Sequence, residues 1–179
     1  MAERPQQVRV EMPTTEQWKQ LKGRFGPPEV FLLREEGSGK AEGTAHGPRT
    51  CTVVALITDP SSRLLAVRKQ GRRDWFLPKG GARPEQSVEE AAIKESLEEA
   101  GVGVEITGAP RAYVVDYVDG DHRLVRWHVV VTATTRDREP EPRDRKEIAE
   151  ARFFDRTPDN GDELEGRWLK SILELWSRP

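Results

Sequence analysis

Cysteine is nearly absent from the sequence, and long apolar runs are missing altogether. The single cysteine, Cys51, cannot form a disulfide within the chain, and its place at the start of an apolar run favours a core residue over a nucleophile. No run is apolar for long enough to cross a bilayer, and no basic-then-apolar leader opens the sequence. We therefore expect a cytoplasmic protein with no membrane partner.

An excess of charge of one sign is also missing, because 29 basic residues stand against 31 acidic ones and the net charge is −2. Such a balance gives no general attraction to nucleic acid or to an anionic membrane. Locally the two signs separate. Six basic residues and one acid lie between Arg63 and Lys79, whereas six glutamates and one lysine lie between Glu85 and Glu99. The sequence therefore predicts a basic patch next to an acidic one.

The apolar runs that are present are short, and they predict one mixed domain at residues 50–179, preceded by an extension at residues 1–49. In the extension, the pattern predicts a strand at 8–12, a helix at 14–25 and a strand at 29–36. In the domain, β-branched runs predict strands at 51–59, 63–69, 75–77, 103–106, 111–118, 123–134 and 151–155. Helices are predicted between the N-cap Ser87 and the stop Gly101, and at 163–176.

Two segments are predicted to be irregular. Glycines and small polar residues at 37–49 indicate a flexible connector, and its GSGK fails the phosphate-loop pattern because Arg34 stands where the first glycine belongs. The run at 136–147 is too charged and too often interrupted by proline for a helix or strand, so we expect an exposed loop there.

The helix at 87–100 carries the chemistry. Each residue of an α-helix advances by about 100°, so Glu95, Glu98 and Glu99 are predicted to share one face. The opposite face is predicted to pack on the sheet through three apolar residues, Ile93, Leu97 and Ala100.

A solvated acidic face is the alternative to a functional site, and Glu90 with Lys94, an acid four residues before a base, fits that alternative. Glu95 and Glu99 fit it poorly, because like charges four residues apart repel by a few tenths of a kcal/mol. A divalent cation would remove this repulsion. Mg²⁺ or Mn²⁺ would suit the carboxylates, because both are hard ions that prefer oxygen ligands.

At this point the chain resembles the Nudix family. The resemblance rests on the PKGG turn and on the spacing of an acid-rich signature, which comprises Gly80, Glu95, Glu98, Glu99, Gly101 and Val102. It covers about residues 50–176 and implies an α+β fold, an α/β/α sandwich with a mixed β-sheet between helices. Three positions depart from the family pattern: Gln86 replaces a glutamate, Lys94 an arginine and Ser96 a bulky aliphatic residue.

The resemblance implies metal-dependent hydrolysis of a pyrophosphate bond, with Mg²⁺ or Mn²⁺ as cofactor. Glu95, Glu98 and Glu99 would be the catalytic glutamates and metal ligands, with Glu98 as ligand or general base, and the carbonyl of Gly80 or Gly81 would complete the shell. Phosphates would be held by basic residues, for which a solubilising rim is the alternative: Lys79, Arg68, Lys69, Arg72, Arg73 and Arg126. Further candidates are Glu147 as a base, Tyr117 for stacking unless it is a core residue, and His122 for phosphate.

Within that family, PKGG, the basic approach strand and the ending KEIAEARFFD are similar to the branch that cleaves diadenosine polyphosphates and diphosphoinositol polyphosphates. Oxidised nucleoside triphosphates, or RNA 5′ ends as the one nucleic-acid substrate, would need similar machinery, so the small-molecule substrate stays open. Gln86 and Lys94 also leave open a catalytically weak module that binds a nucleotide as a sensor or touches a partner. A third reading, a structural domain with an acidic helix, predicts no effect of divalent ions on melting. The oligomeric state is not predicted.

Overall fold

A mixed sheet of nine strands runs through the chain in a computed structural model that describes residues 7–43, 47–158 and 166–176. The strands are β1 (Gln7–Glu11), β2 (Glu29–Glu36), β3 (Cys51–Thr58), β4 (Leu64–Lys69), β5 (Trp75–Phe76), β6 (Lys79–Ala82), β7 (Glu105–Asp119), β8 (His122–Thr134) and β9 (Ile148–Phe154). The main order is β2-β7-β8-β3-β4-β5, with β1 on β8, β6 on β3 and β9 on β4. The helices are α1 (Thr15–Phe25), α2 (Val88–Glu95), which continues as a π-helical turn (Ser96–Ala100), and α3 (Gly166–Trp176).

Two strand predictions need correction. Strands predicted at 103–106 and 111–118 form the single strand β7, because register shifts around Gly108 absorb the glycine and the proline between them. The PKGG turn is instead the start of β6, where the backbone of Gly80 and Gly81 pairs with Val53 and Thr52 of β3. A tight turn joins β7 and β8, with Gly120 in the left-handed region at φ 56°.

The extension is part of this sheet. β1 pairs in parallel with β8, and β2 pairs in parallel with β7. Between them, α1 begins with a capping box in which Thr14 and Gln17 satisfy each other's backbone amides. The buried Gln17 amide also donates to the carbonyls of Arg83 and Gln86, at 2.8 and 2.6 Å. The division of the chain at residue 50 stays a prediction, since the sheet crosses it.

Helix α2 packs on the sheet through small side chains. Ser87 and Glu90 form its capping box, and Gly101 ends the π turn in the left-handed conformation. The prediction that Ile93 packs on the sheet is wrong, because its side chain is 41% exposed. The buried face consists of Val88, Ala91, Ala92, Ser96 and Ala100. The Ser96 hydroxyl donates to the Ala92 carbonyl at 2.7 Å, which explains how a serine is tolerated there.

Apolar clusters on the two faces of the sheet produce the three layers. Along β3, Cys51, Val53 and Ala55 pack with α1 and α2, whereas Val54 and Leu56 pack with α3. The predicted α/β/α arrangement is therefore confirmed. Cys51 is fully buried, as predicted, and burial raises the pKa of its thiol to about 12. None of the helices in the described ranges is long and apolar enough to cross a membrane.

Candidate active site

A cavity of about 510 Å³ opens beside the end of α2. Three acids line it: Glu95, Glu99 and Glu147. Five basic side chains face the same space: Lys40, Arg49, Lys69, Lys79 and Arg126. The remaining wall comes from Gly80, Gly81, Thr52, Tyr117 and His128. A second, more open cleft of about 670 Å³ lies at the other side of the helix end, and its lining contains none of the signature glutamates.

The three signature glutamates do not share one environment. Glu99, only 5% exposed, points into the cavity, and Glu95 lines it as well. The Glu98 side chain lies outside the lining, is 47% exposed and accepts from Lys94 Nζ at 2.7 Å. The π turn inserts an extra residue into the helix here, and the Glu98 carbonyl accepts the amides of Arg143 and Asp144. The π turn thus connects the helix to the charged loop at 136–147, while the Glu99 side chain faces the cavity.

Burial controls the charge of the inward acids. It raises the pKa of the Glu99 carboxyl to about 7, although the Lys79 amide donates to this carboxylate at 2.9 Å. Burial likewise raises the pKa of Glu95, and the ammonium of Lys94, 3.3 Å from Glu95 Oε1, opposes the rise. Two carboxylates that are partly desolvated and close to each other would gain from a neighbouring cation.

The donors around Glu95 fit a hard divalent ion. A Cβ on Gly80 would lie 2.1 Å from the Glu95 Cδ, so only a glycine lets the backbone approach this carboxylate so closely. Within the described ranges, no three His, Cys, Asp or Glu side chains are grouped as a ready ligand set. Glu95 and Glu99 would therefore need the Gly80 carbonyl, water and substrate oxygens to fill the shell.

Several of the basic side chains are tied to acids. Lys69 Nζ lies 2.5 Å from Glu147 Oε1, which joins β4 to the charged loop before β9. Arg126 Nε lies 2.5 Å from Glu11 Oε2, across the β1–β8 pair. Burial, followed by the charges of Lys69 and Lys40, lowers the pKa of the Lys79 ammonium to about 7. A bound anion would restore the full charge of Lys79.

Other candidates named from the sequence lie away from the cavity lining. Arg68 points to the other face of β4, where it pairs with Glu150 at 2.8 Å and covers Trp75. Arg72 lies 3.9 Å from Asp74, while Arg73 and His122 are exposed. Gln86 closes the turn before α2 by accepting from the Arg83 amide at 3.1 Å. Lys94, by contrast, contacts the signature acids themselves.

Four lining residues were missed by the sequence analysis: Lys40, Arg49, Thr52 and His128. Lys40 and Arg49 belong to the segment that was predicted to be a connector. His128 could have been found, since Arg126 and His128 are polar residues at alternate positions of an apolar strand. Its Nε2 lies 3.0 Å from the Tyr117 hydroxyl. Burial, followed by the charges of Lys79 and Arg126, lowers the pKa of His128 well below its usual range, so the imidazole is neutral.

A family model described as the NUDIX domain matches residues 48–164, which contain the signature glutamates and most of the cavity. The chain belongs to the NUDIX domain family. This confirms the resemblance at the level of the family, and Nudix hydrolases generally use divalent metal ions. The match does not single out the diadenosine or diphosphoinositol polyphosphate branch.

Individual relatives agree with this assignment. An RNA pyrophosphohydrolase from Photorhabdus laumondii is 33% identical over 78 residues, which cover 42% of this chain and 43% of that protein. The chain is thus matched to less than half the length of this curated relative. Crystal structures show the same fold: a UDP-X diphosphatase has a TM-score of 0.52 and 23% identity over 77% of this chain and 66% of its own. A Bacillus subtilis pyrophosphohydrolase variant has a TM-score of 0.51 and 18% identity, covering 75% and 82%.

Proposed function

We propose that the chain is a divalent-metal-dependent pyrophosphohydrolase that cleaves a phosphoanhydride bond in a nucleoside polyphosphate, a dinucleoside polyphosphate or a diphosphoinositol polyphosphate. The observation that carries this proposal is the cavity itself, where Glu95 and Glu99 face five basic side chains. A phosphate chain needs both partners, since the cations neutralise its oxygens while the carboxylates hold the metal.

Glu95 and Glu99 would hold Mg²⁺ or Mn²⁺ together with the Gly80 carbonyl. When bound, such an ion lowers the pKa of water and withdraws charge from phosphate oxygens. Lys79 would donate to a phosphate oxygen beside the glycines, and Lys69 would hold Glu147 in place at the rim. Glu147 would then accept the proton of the attacking water, as a general base. Glu98 would contribute as a ligand only after its contact with Lys94 opens.

RNA 5′ ends are a second candidate substrate, which the curated relative from Photorhabdus laumondii supports through its activity on RNA. A third possibility, a sensor that binds a nucleotide without turnover, is motivated by Gln86 and Lys94. The inward position of Glu95 and Glu99 argues against a lost active site. We therefore favour turnover over sensing.

The test is release of phosphate or nucleotide from diadenosine polyphosphates, nucleoside triphosphates, nucleotide sugars, inositol pyrophosphates and 5′-triphosphorylated RNA, with Mg²⁺ or Mn²⁺. We expect turnover on at least one phosphoanhydride substrate, and a loss of at least about a hundredfold in Glu99→Gln. The exposed Glu105→Gln serves as the matched control. A folded wild type that binds metal yet turns over no substrate would favour the sensor.

A further inference from the structure

Two of the basic side chains that line the cavity, Lys40 and Arg49, come from the segment at 37–49, and among the residues that the structure describes neither makes a close ion pair with a carboxylate. Lys40 Nζ lies 3.8 Å from its nearest carboxylate partner, Glu35, and Arg49 makes no ion pair within the described part of the chain. Lys69 and Arg126, in contrast, each lie 2.5 Å from a carboxylate oxygen. Lys40 and Arg49 therefore leave positive charge available for a ligand.

Residues 39–41 are held in place by Asp119, at the end of β7. The Gly39 amide donates to Asp119 Oδ1 at 2.9 Å and the Ala41 amide to Oδ2 at 2.6 Å. Burial alone would raise the pKa of the Asp119 carboxyl, but these amides and that of Ser38 hold it below its usual range. With its neighbours on both sides fixed, Lys40 places its ammonium 5.0 Å from the Tyr117 ring, on the cavity wall.

The charges of this wall converge on one place. The positive charges of Lys79, Arg126, Lys40 and Arg49 all act on the imidazole of His128, which lies beside Tyr117. The metal-binding candidates Glu95, Glu99 and Gly80 line the same cavity from α2, its π turn and β6. A ligand that contacts both a metal ion at these acids and the side chains of Lys40 and Arg49 must carry more than one anionic group.

We propose that Lys40 and Arg49 form a second anion subsite, beside the paired Arg126, which binds a phosphate group beyond the anhydride that is cleaved. This inference rests on the proposed function. It narrows the substrate to molecules that carry at least one phosphate in addition to the scissile pair, whether this phosphate belongs to a polyphosphate chain or to a phosphorylated ring. Asp119 is a positioning residue of this subsite, because it acts through the backbone next to Lys40.

Binding without turnover tests the subsite. We would titrate inorganic pyrophosphate and tripolyphosphate into the full chain by calorimetry, with a chelator present so that no metal contributes. The wild type should bind tripolyphosphate more tightly than pyrophosphate. Lys40→Gln and Arg49→Gln should each weaken tripolyphosphate binding by about fivefold to tenfold, since each removes a charge-assisted contact, and should change pyrophosphate binding less.

Exposed basic residues away from the cavity supply matched controls, Lys19→Gln and Arg136→Gln, and thermal melting shows whether each variant is folded. If the double variant of Lys40 and Arg49 keeps the wild-type preference for tripolyphosphate, the subsite is overturned. A second experiment measures kcat/KM of the wild type and of the Lys40 and Arg49 variants on diadenosine diphosphate and diadenosine tetraphosphate. If the subsite exists, the variants should lose kcat/KM selectively on the tetraphosphate.

The same experiment separates this inference from the proposed function. Glu99→Gln should lose turnover but keep tripolyphosphate binding, because it removes a negative charge from the lining. Binding with the expected preference but no hydrolysis by the wild type would refute the hydrolase and leave the subsite standing. Hydrolysis with no effect of Lys40 or Arg49 on binding or selectivity would refute the subsite alone.

Discussion

The cavity has two walls, and they are encoded differently. Apart from Glu147, the acidic wall comes from residues 79–99, a short stretch that contains strand β6 and helix α2 with most of its π turn. The basic wall joins Lys40 and Arg49 to Arg126, which is distant from them in sequence. They meet because Lys40 follows β2, Arg49 precedes β3, and β7 and β8 lie between these two strands in the sheet. Local spacing can reveal the first kind of wall, whereas the second depends on strand pairing.

The largest contrast between the walls should be in their response to pH without metal. The pKa of Glu99 is raised from 4.5 to about 7 in the fold, so its contribution to stability is present at low pH and is lost as the pH rises through this window. With a chelator, Glu99→Gln should therefore be more stable than the wild type at pH 8, by up to about 3 kcal/mol. Urea unfolding at several pH values measures this. If the free energy of unfolding of the two proteins changed in parallel with pH, the raised pKa of Glu99 would be contradicted.

Gly80→Ala should break the acidic wall and leave the basic wall unchanged. The new Cβ would displace the Glu95 carboxylate rather than the backbone, so we expect turnover and metal affinity to fall by about tenfold to a hundredfold with little loss of stability. Metal titration followed by kinetics measures both. Gly23→Ala is the control, since a Cβ at this position of α1 would meet no atom within 4 Å. Equal losses in both variants would argue against a specific effect on Glu95.

Glu11→Gln tests how firmly the basic wall depends on the extension. Glu11 is 5% exposed and the Arg126 side chain 17%, so the change leaves a largely buried guanidinium without its carboxylate. We expect the free energy of unfolding to fall by about 2 kcal/mol, measured by urea denaturation. The exposed Glu42→Gln should change it little. If the stability of Glu11→Gln were unchanged, water would have to solvate the Arg126 guanidinium in place of the Glu11 carboxylate.

Asp119→Asn should disturb the position of Lys40 and not the chemistry. The amide can accept only through one atom, so one of the two backbone contacts is lost. We expect KM for a polyphosphate substrate to rise by about fivefold with kcat nearly unchanged. Asp121→Asn, exposed at the hairpin tip, is the control. A fall in kcat with constant KM would contradict the role of Asp119 in positioning Lys40 for substrate binding.

Glu98→Gln should have the smallest effect. Its carboxylate is about half exposed and contacts Lys94 outside the cavity, so we expect turnover to change by less than about threefold. Steady-state kinetics measures the turnover of Glu98→Gln, and the loss in Glu95→Gln, a variant of a cavity-lining acid, serves as the reference. A loss as large as that of Glu95→Gln would show that the Lys94 contact opens and that all three glutamates act together.

The sequence predicts the fold well wherever a local rule decides. Ser87 and Gly101 bound the helix because a capping box and a left-handed glycine need only neighbouring residues. Apolar character predicts burial for Ile93, but the face of the helix that packs on the sheet carries mostly small side chains such as Ala92, and Ile93 is exposed. At the site, spacing alone placed Glu98 with Glu99, and it could not anticipate the π turn that separates them.

The parallel pairing of β1 with β8 and of β2 with β7 makes the extension an integral part of the sheet. A segment that contributes two strands to the sheet and a carboxylate to Arg126 cannot be exchanged as an independent cassette. A truncated protein that starts at residue 48 would retain the signature glutamates but would expose edges of β7 and β8 to aggregation. The basic side chains that would select the substrate therefore depend on the same sheet that supports the catalytic helix. Transfer of this specificity to another scaffold would require the first 49 residues together with β7 and β8.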